Sequence, residues 1–156
     1  MNNFQSARAL ALIVPAALML GALGSQYIGG LYPCEMCHWQ RWPHDMAIVL
    51  ALFAFGVRHP GYARVLTALA AFAIITSGAI GLFHAGVEYK WWEGLTKCTS
   101  TAASLTLKDI MAAPMIRCDE AQWTLFGVSL AGFNALISLS AGAYILNLLR
   151  KEGKAA

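Results

Sequence analysis

Charge is scarce in this sequence. Only 12% of its 156 residues are Asp, Glu, Lys or Arg, against roughly 25% in an average soluble domain. Three long stretches, residues 9–34, 65–87 and 121–149, contain no Asp, Glu, Lys or Arg. No basic run is long enough to follow a nucleic-acid backbone, and the net charge of +3 is small, so nucleic acid is excluded as a partner. Cysteine is scarce too, with four residues in two groups. An even number can pair in an oxidising compartment, whereas in the cytosol the same residues would bind metal more readily. What the chain has instead is apolar side chains, 58% of the total. A single domain cannot hide that much apolar surface in its own core, and a bilayer removes the need to.

The apolar residues fall into four runs. The first, about 9–32, exceeds the roughly 20 residues a helix needs to cross hydrocarbon. A secretory signal is the competing reading, but the run is longer than the usual apolar core of about 7–15 residues and lacks a convincing cleavage site. Ala17, Gly21, Ser25 and Gly29 recur every fourth residue in it, a small-residue stripe of the kind that admits a second helix closely. The second run, about 37–57, reaches membrane length only by including Arg41, His44 and Asp45, with Pro43 early in the helix, where it is tolerated or kinks the backbone. The third, about 65–87, follows a Pro60-Gly61 turn and repeats Ala73, Ser77, Gly81 and Ala85. The fourth, about 121–149, sets Asn134, Ser138 and Gly142 on one face. Between the last two lies a polar loop, about 88–120, in which residues 104–111 could form a short surface helix. The expected fold is all-α: one integral membrane four-helix bundle with two outward loops, 33–36 and 88–120.

Orientation follows from the short connections. Arg8, the Arg58/Arg64 turn and the basic tail from Arg150 to Lys154 all fall on one side, which the positive-inside rule makes cytoplasmic. Both termini then lie inside. Trp39, Trp42, Trp91, Trp92 and Trp123 gather at the outer interface, as an aromatic belt would. Both cysteine groups face outward, into a periplasm-like space.

The chemistry concentrates in Pro33-Cys34-Glu35-Met36-Cys37-His38-Trp39-Gln40-Arg41-Trp42-Pro43. Cysteine reacts as thiolate, which a helix N-terminus or a nearby cation favours. If Cys34 opens the second helix, orphan N–H groups and the helix dipole favour a thiolate there. Arg41 stands one turn beyond Cys37 on the same helical face, a fixed positive charge and a donor for a carbonyl oxygen. Asp45, a further turn on, could pair with Arg41 and blunt that effect. Two other readings compete. A zinc half-site needs four ligands, and its other pair would be Cys98 and Cys118 in a long loop. Two inert disulfides suit Cys98 and Cys118 better than the small Cys34–Cys37 ring, which gains little loop-closure entropy. For Arg41 the bland alternative is snorkelling to headgroups, for His84 a helix-end polar residue, and for Asn134 a helix-packing contact.

Over most of its length the sequence resembles the DsbB family of bacterial disulfide-bond formation proteins. The resemblance is carried by Pro33-Cys34-x-x-Cys37-x-x-Gln40-Arg41-x-Pro43, by His84-x-Gly86-Val87-Glu88 with Trp91-Trp92, and by Cys118-Asp119-Glu120-x-x-Trp123-x-x-x-Gly127. In that family the DsbA–DsbB–quinone chain keeps the bacterial periplasm oxidising. The resemblance implies an inner-membrane protein-dithiol:quinone oxidoreductase. A reduced DsbA-like partner would attack a Cys98–Cys118 disulfide and form its mixed disulfide at Cys98. Cys118 would exchange with Cys34, leaving Cys37 against a quinone, ubiquinone or menaquinone, whose carbonyl Arg41 would hold. His84 matches a family histidine near the quinone. A metal is not implied. The alternatives are a related oxidase for a dedicated different thiol partner, and a non-catalytic scaffold with static disulfides. A vitamin-K-reductase-like protein would place its CxxC late in the chain, unlike Cys34 and Cys37.

Overall fold

The computed structural model describes residues 2–95, 99–100 and 115–155. Four long helices dominate: α1 Asn3–Tyr27, α2 Glu35–Gly56, α3 Pro60–Glu88 and α4 Leu130–Ala155. Two small antiparallel pairs complete the described residues, β1 Thr99–Ser100 with β2 Met115–Ile116, and β3 Thr124–Leu125 with β4 Val128–Ser129. By length and composition α1, α3 and residues 130–152 of α4 are candidate membrane spans. The fold is that of a mostly helical membrane protein, with α2 as a fourth helix whose first turns carry Glu35, Arg41 and Asp45.

Local chemistry sets where each helix begins. Asn2 caps α1 through a reciprocal capping box with Gln5, at 2.8 and 3.2 Å. The helix therefore starts ahead of the charge-free run, and Arg8 lies inside it. Cys34 caps α2, its sulfur accepting the Cys37 N–H at 3.2 Å. Pro43 is accommodated within α2 without breaking it. Pro60 opens α3, at a position where its missing N–H costs nothing. The fourth helix begins at Leu130, not with the apolar run at Ala121. Phe126 and Gly127 both take positive φ, 51° and 78°, and turn residues 124–129 into a hairpin.

α3 is the central helix, packed most extensively on α2 and α4, while α1 leans on α2 and α4. Its small-residue stripe does become a seam. A Cβ on Gly81 would meet the Ala131 carbonyl and Asn134, and one on Gly78, beside the stripe, would meet Ser138 and Leu139. The α1 stripe behaves differently. Its buried face is Ala7, Ala11 and Pro15, and a Cβ on Gly21 would meet nothing within 4 Å. Ala17, Gly21 and Ser25 instead line a cavity. Small residues there leave space open; they do not close a helix contact. The proposed surface helix at 104–111 lies outside the described residues.

Candidate functional site

The sulfur end of the bundle is assembled from three separate pieces of chain. Pro33 ends an extended linker, so Cys34 stands at the α2 N-cap with its sulfur 2.7 Å from that of Cys37, one turn in. The loop after β2 brings Cys118 in beside them. Cys34 and Cys118 are 2% and 6% exposed and share an apolar cluster with Met36, Val87 and Ile116. The reactive atoms of Cys34, His84 and Cys118 all lie within 4.8 Å of one another. Two sulfurs and a nitrogen at this spacing supply three of the four donors of a structural zinc, and equally suit exchange from sulfur to sulfur. Cys98 lies outside the described residues.

The loop is held in place by charge. Asp119 pairs with Lys90 at 2.7 Å and with Arg117 at 2.8 Å, and Arg117 also faces Glu120 at 3.4 Å. Arg117 first, then Lys90, hold the Asp119 carboxyl well below the usual carboxylate range. Gln122 donates to the Tyr32 carbonyl at 2.6 Å, tying the loop to the segment before Cys34. The Tyr89 hydroxyl donates to Gly127 O and accepts Ser129 N–H, locking the hairpin to the end of α3. Gly86 is needed where it stands, because the Trp92 ring occupies the place of a Cβ, while the indole N–H donates to Phe83 O at 2.9 Å.

The place of Cys34 at a helix start favours a thiolate, and its sulfur neighbours oppose it. Hydrogen bonding to the Cys118 and Cys37 sulfurs, followed by burial, pushes the Cys34 thiol far above its ordinary range. Helix N–H groups cannot offset two neighbouring sulfurs in a dry site.

Below the sulfurs the helices bury a polar network. Gln40 Nε2 donates to Met36 O at 3.1 Å and to His84 Nδ1 at 2.8 Å. That fixes Nδ1 as an acceptor, so the neutral His84 ring carries its proton on Nε2. Nε2 in turn faces Cys34 Sγ at 3.6 Å and Glu88 Oε1 at 3.7 Å. Asn134 is the hub of the network. Its amide donates to Gln40 Oε1 and to Ser77, and its Oδ1 accepts Ser138 Oγ–H at 2.7 Å. Ser77 spends its hydrogen on Gln40 O at 2.7 Å. The two neighbours of His44 Nε2, Ser77 Oγ and Asn134 Oδ1, are therefore both acceptors, so Nε2 donates. His44 Nδ1 is left as a buried acceptor with no donor among the described residues.

Beside this network lies a cavity of about 240 Å³. Cys37, Arg41, His44, His84 and Glu88 line one side, and the small residues of α1 line the other. Arg41 donates to Gln26 Oε1 at 2.6 Å and to Ala22 O at 3.2 Å. Asp45 is exposed, and no ion pair joins it to Arg41 among the described residues. The guanidinium thus turns to α1 and keeps N–H groups to spare of its five. The structure brings together Cys34, Cys37, Arg41, His84 and Cys118. Gln40, His44 and Glu88, to which sequence reasoning gave no role, complete the site. Their signal was polarity at one level of otherwise apolar helices.

The model of a family described as "Disulfide bond formation protein DsbB" matches residues 4–148. A protein of Methylococcus capsulatus (strain Bath) named "Disulfide bond formation protein B" is 28% identical over 144 residues, covering 84% of this chain and 85% of that protein. No solved structure matches. With a match across nearly its whole length, the chain belongs to the DsbB family of membrane proteins of disulfide-bond formation.

Proposed function

We propose that this protein is a thiol:quinone oxidoreductase of the bacterial inner membrane that reoxidises a periplasmic DsbA-like dithiol protein. On this reading all four helices span the bilayer, both termini are cytoplasmic, and the cysteine pairs face the periplasm. The observation that carries it is one line of contacts. Cys118 on the loop meets Cys34, Cys34 meets Cys37 at 2.7 Å, and Cys37 lines a cavity shared with Arg41.

The partner's thiolate attacks the Cys98–Cys118 disulfide at Cys98, and Cys118 leaves with the bonding pair. Cys118 then attacks Cys34. The Cys34–Cys37 bond breaks, and Cys37 leaves with its electron pair. Once the partner's second thiol has released it, Cys98 recaptures Cys118, and Cys34 and Cys37 are left reduced. A quinone, when bound, supplies acceptance of two electrons and two protons, at a potential high enough to draw on so oxidising a partner as DsbA, near about −120 mV.

The cavity residues suit such a group. The free N–H groups of Arg41 can donate to one carbonyl oxygen, as an oxyanion hole does. The unpartnered Nδ1 of His44 shows that the network leaves a polar group unanswered there. The small residues of α1 leave room for a flat ring. His84 faces Cys34 at 3.6 Å, so its part is played on the sulfur.

The test is turnover of purified protein with quinone and a reduced DsbA-like partner, together with the visible spectrum. Disulfide should form in step with quinone loss, and an absorption band should require both quinone and Cys37. Quinone-independent oxidation, or a band that persists in Cys37→Ser, would end this reading. A partner variant that lacks its second thiol should open the Cys98–Cys118 disulfide and stay attached as a mixed disulfide at Cys98, which identifies that partner.

A further inference from the structure

The charges at the end of the bundle away from the sulfurs have no part in the relay. Residues 2–8, 53–64 and 145–155 hold Arg8, Arg58, Arg64, Arg150, Lys151 and Lys154 against a single carboxylate, Glu152. Two of these cations are placed in a particular way. The Arg8 guanidinium, on α1, lies 5.3 Å from the centre of the Phe4 ring and 4.4 Å from that of Phe55, near the close of α2. The Arg64 guanidinium, near the start of α3, lies 5.8 Å from the same Phe4 ring. Three helices thus bring two like charges to one aromatic side chain.

Like charges this near repel. Neither guanidinium has an ion-pair or hydrogen-bond partner among the described residues. The rings answer a face of each group, but they give nothing to its N–H edge, which carries five donors. Nε is closed off from solvent in both, which leaves the Nη groups to meet a ligand. Two such groups suit phosphate oxygens, which arginine takes through paired N–H donors.

The setting favours a lipid as the source of that phosphate. Arg8 and Arg64 lie near the ends of two candidate membrane spans, Asn3–Tyr27 and Pro60–Glu88, at the level where a span meets headgroups. Phe53 and Phe55 are 62% and 48% exposed beside them, apolar surface for an acyl chain. A zwitterionic headgroup brings its own cation, whereas two arginines without a carboxylate favour a headgroup of net negative charge. We propose that Arg8 and Arg64, held around Phe4, bind the phosphate of an anionic phospholipid. The bound phosphate removes the repulsion and joins α1 to α3, which pack on each other only lightly. The assignment rests on the chain's place in a membrane and is independent of the relay.

The experiment uses the full-length protein in neutral detergent. Phosphatidylglycerol or phosphatidylcholine with the same acyl chains is added, and unfolding temperature and native mass spectra are recorded. Phosphatidylglycerol should raise the unfolding temperature more and be retained in preference. An equal response to the two lipids would overturn the assignment. Arg8→Gln and Arg64→Gln should each weaken phosphatidylglycerol binding by roughly fivefold. Arg58→Gln should bind as the parent does, since Arg58 is exposed and meets no ring among the described residues. An equal loss in all three variants would mean diffuse surface charge and no site. Inorganic phosphate at matched ionic strength should not reproduce the stabilisation. If it does, the arginines hold a free anion and the lipid assignment fails. Should the Gln variants not fold, Arg8→Lys and Arg64→Lys carry the test. They keep the charge and lose the paired N–H geometry, so binding should still fall, and unchanged binding would overturn the site.

Discussion

Where the four helices meet around Ala7, Ala47, Ala70, Ala71 and Ile145, the core is alanine and aliphatic carbon. At the other end, around Cys34, His84, Glu88 and Cys118, it is sulfur, imidazole and carboxyl, buried as deeply. The first region is joined by close backbone approach, as at Gly142, whose Cβ would meet Ile75 and the Ala71 carbonyl. The second is joined by hydrogen bonds that each need a particular partner, and among the described residues it leaves Glu88 Oε2 and His44 Nδ1 without one. At the packing end Arg8 Nε and Arg64 Nε are likewise without a hydrogen-bond partner among the described residues, but their guanidinium groups lie over the Phe4 and Phe55 rings. The difference separates what holds the helices together from what they hold in place.

The largest expected effect isolates the chemical end. Cys37→Ser should lower quinone-coupled turnover by at least about 10³-fold, as loss of a nucleophile does, while the helical circular dichroism and unfolding temperature stay near those of the parent. A variant that retains turnover would mean the two ends do not divide the labour in this way. Arg41→Met should come next. Losing one donor to a developing oxyanion costs about 10²–10³-fold in favourable cases. The loss should appear in kcat/KM for quinone, with the quinone-free Cys34–Cys118 exchange unchanged. An equal loss in both would make Arg41 a structural tie to Gln26 and Ala22.

The packing end should fail in the opposite manner. Gly142→Val forces a branched side chain against Ile75 and the Ala71 backbone and should cost about 1–3 kcal/mol of stability, measured by unfolding in detergent. Turnover per folded molecule should remain. If turnover fell at a temperature where the protein is folded, the two regions would be coupled.

How much of this the sequence revealed follows the same division. The Cys34–Cys37 spacing, Arg41 and the α3 stripe through Ser77 and Gly81 could be read directly, because each depends on neighbours within a turn or two. Glu88 and Gln40 could not. Gln40 takes its meaning from Asn134, which the fold brings in from far along the chain, and Glu88 from the cavity that it lines. The α1 stripe was legible as small residues but not as a cavity wall, since close packing and open space call for the same side chains. Nor did apolarity locate the start of α4, because the hairpin at Phe126-Gly127 is as greasy as the helix it precedes.

That hairpin offers a smaller test. Phe126 is 95% exposed and sits at φ 51°, where a side chain with a Cβ is strained by roughly 1–2 kcal/mol. Phe126→Asn should stabilise the protein by about 1 kcal/mol in detergent, since Asn-Gly is the favoured pair for this turn. No gain, or a loss, would mean that the aromatic ring is held by something outside the chain, such as lipid at the interface.

The smallest effect concerns the charged clamp that carries Cys118. Asp119 is depressed by Arg117 and Lys90. A carboxylate lowered on folding contributes stability that is fully present above its unfolded value, about 3.9, and that is lost as pH falls through the folded value. The difference in unfolding temperature between the parent and Asp119→Asn should therefore stay constant from neutrality down to about pH 4 and shrink only in stronger acid. It should also shrink with added salt, because the partners are solvent-exposed. A difference that faded between about pH 5 and 7 would point to a histidine in place of Asp119.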